Sequence, residues 1–380
     1  MAKRKNSRAS NGMGSIRQRA DGRWEARYST PDGRQRSVYA KSEAEVTKKL
    51  RGQLHDLDTG VWRQPSKMNV ADWFEVWLTE YQGHNADRTI LKYRCIVTNH
   101  FTPMLGKLKV TSVLPLHIRR VINKLQSSGL APVTIKNYVR ILGASFQCAV
   151  DAGIIKENPV DGAKLPRPTP TKFNIVDKAD IPAFIAAAQE TDYPNELLLM
   201  LYTGLRVGEM RGLRWGDCDL DEGIMEVERQ LHPVNHDMKR FTPPKYGEVR
   251  TIHLADEAID VLRNQRKRQA EQRLAAGGWD DDEITTDLVF RLPNGNPHND
   301  RTIYKAVQAV GKAIGKPKLH PHDLRHSYAV AALRSGVDVK TVQHNLGHKT
   351  SQMTLDVYAA YTEDAGKEGA AKLSTYLKNT

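Results

Sequence analysis

The sequence predicts a multidomain chain: a small α+β amino-terminal module (three-stranded sheet plus helix), then an all-α domain, then a mainly α domain with a small β-sheet. Three observations carry this. At 380 residues the chain exceeds one core of the usual ~100 to 200 residues. Short β segments punctuated by turns fill the front, and helical apolar periodicity takes over near residue 70. The stretch KLPRPTPTK at 164–172 has three prolines and no periodicity, so it reads as an extended linker. The expected parts are a disordered basic arm at 1–13, the α+β module at 14–62, the helical domain at 63–163, the linker at 164–172 and the last domain at 173–380.

The arm is polar and carries Lys3, Arg4, Lys5 and Arg8. From Ser15 the segments SIRQR, RWEARYS and RQRSVYA are separated by Asp21-Gly22 and Pro31-Asp32-Gly33, both strong turn signals, so three antiparallel strands are expected. Ser42 with Glu45 three residues on is a capping box, and a helix follows to about Leu57. Arg17, Arg19, Arg23, Arg27, Arg34 and Arg36 are assigned to the strands. A sheet can enter a major groove and present alternate side chains to bases, which makes these arginines candidate DNA contacts; a solvated strand face is the plain alternative.

Helices are expected near Val70–Tyr81, Arg88–Phe101, Pro115–Ser127 and Pro132–Asp151. In the last, Val133, Ile135, Tyr138, Ile141, Leu142, Phe146 and Val150 form one core-facing stripe. Arg119, Arg120, Lys136 and Arg140 lie on polar faces suited to a duplex backbone. Beyond the linker, helices are expected at Ile181–Ala188, Glu196–Thr203 and Val207–Leu213, strands at Ile224–Arg229 and Val249–Leu254, and helices again from Ala255. Gly277–Glu283 reads as an acidic surface insertion.

Charge narrows the partner. Lys and Arg total 57 against 44 Asp and Glu, a net charge of +13. Residues 1–60 carry +7 and residues 61–171 carry +8, whereas residues 172–380 carry −2. A polyanion gripped by the front half explains the asymmetry, because each neutralised phosphate releases counterions. No stretch approaches the ~20 apolar residues of a bilayer span, and MAKRKNSRASNG has no apolar signal region. Cys95, Cys148 and Cys218 are odd in number and widely spaced, which fits neither a disulfide framework nor a zinc knuckle. A soluble protein of a reducing cytoplasm is expected.

Three clusters carry chemistry: Thr203-Gly204-Leu205-Arg206-Val207-Gly208-Glu209, His322-Asp323-Leu324-Arg325-His326, and Leu346-Gly347-His348 with Tyr358 ten residues beyond. On a helix His322 and Arg325 share a face, and Arg206 sits at a helix start, where backbone N–H groups favour negative charge. Two guanidiniums can clamp one phosphodiester with planar, permanently charged donors, which suits a pentacoordinate transition state.

These residues resemble the tyrosine recombinase (phage integrase) family, and the likeness runs the length of the chain. The family's T-G-x-R-x-x-E motif matches Arg206 and Glu209, H-x-x-R matches His322 and Arg325, L-G-H gives His348, and the nucleophile about ten residues later matches Tyr358. A lysine on a β-hairpin is also expected, and Lys245 in PPKYGEVRTIHL fits, with Lys239 nearby. The resemblance implies a tyrosine recombinase fold, with an arm-type DNA-binding module, a core-binding helical domain and a catalytic domain.

It also implies an integrase of a bacteriophage or integrative mobile element. Tyr358 would attack the scissile phosphate to give a 3'-phosphotyrosine and a free 5'-hydroxyl, retaining the diester's energy without ATP. His322 would accept the tyrosine proton, Arg206 and Arg325 supply the positive field, His348 donate to the phosphate and Lys245 protonate the departing oxygen, with Glu209 as buttress. No cofactor or metal is implied. The implied partners are double-stranded DNA at core and arm-type attachment sites, a homotetramer passing through a Holliday junction, an excisionase and a host DNA-bending protein, in the bacterial nucleoid. The tail Glu363–Thr380 would dock between protomers.

Alternatives stand beside this reading. The residue two after Tyr358 is often histidine in the family and is Ala360 here, which leaves Tyr361 as a rival nucleophile. His322 and His326 have the H-x-x-x-H spacing of a zinc site, but Asp323 replaces the glutamate and Arg325 opposes a dication. A DNA-binding regulator with an inactive catalytic fold is the third.

Overall fold

The computed structural model describes residues 14–31, 33–59, 66–168, 173–234, 238–244, 247, 249–352, 354–355, 374 and 377–378. The chain divides into two compact units, Met1–Thr169 and Pro170–Thr380. The expected arm at 1–13 and most of the tail from Glu363 lie outside the described residues.

The first unit opens with β1 (Ser15–Gln18), β2 (Trp24–Ser29) and β3 (Gln35–Ala40), antiparallel in the order β1-β2-β3. Gly22 and Gly33, at φ of 80° and 76°, supply the left-handed residues of the connecting turns. Helix α1 (Glu43–Asp58) begins where its signal places it: Ser42 Oγ accepts from the Glu45 N–H at 3.3 Å. Alternation then decides the faces. Ala26, Tyr28 and Ala40 pack on Val46 and Leu50 of α1, and Glu25, Arg27, Ser37 and Tyr39 alternate to the opposite face.

The helical part comprises α2 (Val70–Glu80), α3 (Asp87–Ile96), a π-turn at Val97–Phe101, the short α4 (Thr102–Leu105), α5 (Pro115–Ser127) and α6 (Pro132–Asp151). The expected helix at 88–101 therefore runs on past its predicted end. Pro103 cannot donate to the Asn99 carbonyl and its ring crowds it; widening to five-residue spacing, with Thr102 N–H bonded to Val97 O, carries the chain through. Trp73, Phe74, Trp77, Phe101 and Phe146 fill the core, with the Trp73 indole N–H donating to Ser145 Oγ at 3.1 Å. On α6 the predicted stripe is buried at Ile135, Ile141, Leu142 and Phe146, joined by Val139 and Ala149, while Val133 in the first turn is exposed.

The second unit is built on α7 (Ile181–Gln189), α8 (Pro194–Thr203) and α9 (Val207–Gly212). Leu197 to Leu201 are all buried, so α8 is the central helix, apolar on every side. Strands β4 (Cys218–Asp219) and β5 (Ile224–Val227) follow, then a hairpin of β6 (Gln230–Val234) and β7 (Met238–Thr242), then β8 (Arg250–His253). The sheet order is β4-β5-β8, and β6 pairs with β7 in a sheet of its own among the described residues. The predicted strand at 224–229 thus stops at Val227, and the next strand belongs to a separate ribbon that the sequence reading lacked. Pro233 within QLHPV is tolerated because a two-stranded ribbon leaves edges unpaired.

Helices α10 (Asp256–Ala275), α11 (Asp300–Ala313), α12 (Pro321–Arg334) and α13 (Val339–Leu346) complete the unit. The acidic loop Gly277–Glu283 lies at the surface but is pinned: Asp281 pairs with Arg291 at 2.7 Å, and the Arg291 guanidinium lies 4.2 Å from the Trp279 ring centroid.

Candidate active site

The site begins at the end of α8. Gly204 has φ 67° and caps the helix in the left-handed conformation, its N–H bonded to Met200 O. A Cβ there would stand 2.7 Å from Leu346 Cδ2 and 2.8 Å from Tyr328 Cδ1, so packing as well as backbone demands glycine. The reversal puts Arg206 at the start of α9. Its N–H donates to Glu209 Oε2 at 2.9 Å, its Nη1 to Glu209 Oε1 at 2.6 Å and its Nη2 to the Gly347 carbonyl at 3.0 Å.

Glu209 is held from its other side by Arg250 on β8, with Nη1 to Oε1 at 3.1 Å and Nη2 to Oε2 at 2.7 Å. Burial pushes this carboxyl up, but the hydrogen bonds and charge of Arg250, joined by Arg206 and Arg325, prevail and hold it at about 2. Arg250 Nε also donates to Asn345 O at 2.8 Å, and its guanidinium occupies the space beside Gly347, where a Cβ would stand 3.1 Å from Nη1.

Helix α12 starts at Pro321, whose missing N–H costs nothing in the first turn, and Asp323 Oδ2 accepts from the His320 N–H at 3.0 Å. Asp323, two residues before Arg325, is thereby a helix cap. Arg325 is 1% exposed and donates Nη1 to Gly204 O at 2.8 Å and Nη2 to Leu346 O. Burial and the neighbouring Arg206 lower its pKa, from a starting value high enough to keep it charged.

His322, His326 and His348 gather on the same charges. Burial, then His326, Arg325 and Arg206, push His322 down to about 3. His326, whose ring meets that of His322 edge-on at 4.6 Å, is lowered to about 4 by burial and Arg325. His348, the one of the three that is buried, is lowered to about 3 by burial, Arg325 and Arg206; His326 is half-buried and His322 keeps an exposed edge. All three are neutral at pH 7. Gln343 braces His348 by accepting from its N–H at 3.1 Å and donating to its carbonyl at 3.0 Å, and His348 Nδ1 lies 2.9 Å from Thr354 Oγ1.

The structure therefore brings Arg206, Glu209, His322, Arg325 and His348 together from three separate segments. Lys245, Tyr358 and Tyr361 lie outside the described residues. Arg250 and Thr354 were absent from the sequence reading; neither sits in a motif that announces it. Among the described residues no group of three His, Cys, Asp or Glu side chains is placed to hold a metal ion.

The candidate DNA contacts divide. Arg17 and Arg27 lie on the face of the three-stranded sheet opposite α1, around Glu25, which accepts from Arg17 Nε at 2.6 Å, Arg27 Nε at 3.2 Å, Ser37 Oγ at 2.8 Å and Tyr39 Oη at 3.2 Å. Those bonds, Ser37 foremost, hold its carboxyl at about 2. Three assignments to the strands need correction. Arg19 and Arg23 flank the β1–β2 turn, Arg23 pairing with Asp21 at 2.7 Å, and Arg34 precedes β3. Arg36 lies opposite Tyr28, so the period-two alternation puts it on the α1 side and away from Arg17 and Arg27. In the helical part Arg119, Arg120, Lys136 and Arg140 are all exposed, and Arg119 Nη1 donates to Lys164 O at 3.1 Å.

Residues 174–364, just over half of the chain, match the model of the phage integrase family, and residues 69–126 match that of the phage integrase N-terminal SAM-like domain. The chain belongs to the phage integrase family. As a tyrosine recombinase it is a site-specific recombinase acting on DNA. It is 27% identical over 340 residues to a XerC-like tyrosine recombinase of Caldanaerobacter subterraneus, covering 85% of this chain and 87% of that one. It is also 27% identical over 385 residues to the prophage phiRv2 integrase of Mycobacterium tuberculosis, covering 97% and 96%. Among solved structures, the Tn1549 transposon integrase in complex with a circular intermediate DNA superposes with a TM-score of 0.71 at 21% identity, over 81% of this chain and all of that one. The lambda integrase tetramer bound to a Holliday junction gives 0.55 at 17% identity, over 92% and 96%. These two likenesses are of fold. No helix among the described residues of this integrase is long and apolar enough to cross a membrane.

Proposed function

We propose that this integrase cleaves each DNA strand with Tyr358, holding it as a 3'-phosphotyrosine while the 5'-hydroxyl departs, and rejoins it to a second duplex through a Holliday junction. The convergence of Arg206 and Arg325 on the turns at Gly204 and Leu346–Gly347 carries the reading: both guanidiniums donate to those carbonyls, which supports a shared role toward one phosphate. His322 is neutral, and a phosphate bound beside Arg206 and Arg325 would offset the charges that depress it, letting it take the tyrosine proton. His348 donates to a phosphate oxygen, Glu209 holds Arg206, and Lys245 returns a proton to the leaving oxygen. The tyrosine oxygen gains the phosphorus as the 5'-oxygen loses it, so no bond energy is spent and the reverse step uses the same groups.

The three-stranded module would bind arm-type sites through Arg17 and Arg27, aided by Arg19, Arg23 and Arg34. The helical domain would bind core sites through Arg119, Arg120, Lys136 and Arg140. The working assembly is a homotetramer on DNA in a bacterial nucleoid, with an excisionase and a DNA-bending host protein as accessory partners, integrating or excising a phage or mobile element. The test is a suicide substrate: protein in EDTA with nicked DNA bearing candidate core sites, wild type against Tyr358→Phe. An EDTA-resistant covalent adduct lost in Tyr358→Phe is the expected result. Persistence of the adduct transfers the role to Tyr361, and binding without any adduct on a site cleaved in vivo points to a DNA-binding regulator.

A further inference from the structure

Thr354 has a buried hydroxyl whose one partner among the described residues is His348 Nδ1, at 2.9 Å. A helical threonine ordinarily donates back to a carbonyl three or four residues earlier, and Thr354 makes no such bond among the described residues. Its proton must still be satisfied, since an unmet buried donor carries a full desolvation penalty. The available acceptor is the imidazole nitrogen. His348 is neutral, held at about 3 by burial and by Arg325 and Arg206, so exactly one of its ring nitrogens carries hydrogen.

We propose that Thr354 is a positioning residue: by donating to Nδ1 it fixes His348 in the Nε2–H tautomer, which turns the histidine into an anion donor rather than a base. The inference rests on the proposed contact of His348 with the scissile phosphate. It also gives the placement of Thr354, four residues ahead of Tyr358 in sequence, a chemical readout at His348. Gln343 fixes the His348 main chain on both sides, which leaves ring tautomer as the variable that Thr354 controls.

The experiment compares Thr354→Val, Thr354→Ser, His348→Ala and the Thr354→Val/His348→Ala double variant in single-turnover adduct formation at saturating nicked DNA. Thr354→Val keeps the shape and loses the donor; its rate should fall roughly 10- to 100-fold, as is usual when a partner orienting a histidine is removed. Thr354→Ser should recover most of that rate, DNA affinity should be unchanged, and the double variant should be no slower than His348→Ala. In ¹⁵N-histidine-labelled protein, the His348 ring nitrogens should report Nε2–H in the wild type and a tautomer mixture in Thr354→Val. Wild-type rates in Thr354→Val, an additive double variant, or an Nδ1–H signal in the wild type would each overturn the assignment. Failure of the wild type to form any adduct strikes the recombinase reading instead, and the nitrogen spectrum still decides the tautomer, even if Thr354→Val does not fold.

Discussion

Arg250 embraces both carboxylate oxygens of Glu209, and the same carboxylate holds Arg206 from the opposite side. The three groups form a buried rank in which the outer guanidinium faces the site and the inner one ties it to β8. Removing the inner member leaves a buried carboxylate short of one partner. Arg250→Ala should therefore cost about 3 kcal/mol of stability, at the lower end for a broken buried pair because Arg206 remains. Arg250→Lys, which keeps the charge but loses the fork, should cost about 1 to 2 kcal/mol. Urea unfolding midpoints measure both, and covalent adduct formation should fall in the same order.

Gly204 offers a second, independent handle. Alanine there must adopt φ 67° and press its Cβ on Leu346 and Tyr328. Left-handed strain of roughly 1 to 2 kcal/mol and overpacking of similar size should add, giving about 2 to 4 kcal/mol. Since the Gly204 carbonyl also receives Arg325, cleavage should fall more than stability alone explains. Adduct formation measured well below the melting temperature separates the two.

Acid should unfold the catalytic unit in a window set by its histidines. His322, His326 and His348 are depressed to about 3, 4 and 3, below an unfolded value of ~6.5, so the unfolded chain binds more protons as pH falls. Their contribution is whole above ~6.5 and drains as pH drops toward 4. Glu209, depressed to about 2, adds a loss of the same sign below its ordinary carboxylate range. The melting temperature should be flat above about pH 7 and decline steadily beneath pH 6.5, as calorimetry across that range would record. A melting temperature that rises on acidification contradicts the neutral histidines.

The sheet face opposite α1 yields a prediction about DNA. Glu25→Gln removes the charge that anchors Arg17 and Arg27, freeing both for phosphate. Affinity for random DNA should rise and its salt dependence should steepen by up to about two units of slope, one for each arginine released, while discrimination between arm-type and random DNA falls. Titrations at several salt concentrations with the full chain give all three quantities. Unchanged discrimination would mean that this face does not read sequence.

Much of this was legible because the deciding signals are local. The Ser42 box, the turns at Gly22 and Gly33 and the helix-start prolines each act within four residues, and the chain obeys them. Arg206, His322, Arg325 and His348 stand in short motifs whose spacing reflects one turn of helix or one cap. What escaped depends on contacts between distant segments. Arg250 meets Glu209 across 41 residues of chain, and nothing beside it in VRTIHL marks it. Arg36 is on a strand as expected, but its side is fixed by register with Tyr28, which composition does not show. The β6–β7 ribbon escaped as well; its Pro233 sits in a strand only because no neighbour there needs an N–H.

The buried rank has a further consequence for how the site balances its books of charge. Among the described residues, Arg206, Arg250 and Arg325 against Glu209 leave +2, because the three histidines are neutral. A resting phosphodiester brings −1, and attack by a tyrosine oxygen raises the developing phosphorane toward −2. The surplus of positive charge is answered more fully while the bond is changing than at rest. Electrostatic attraction withheld from the intact backbone and released to the half-broken one lowers the barrier without tightening the grip on DNA that is merely bound.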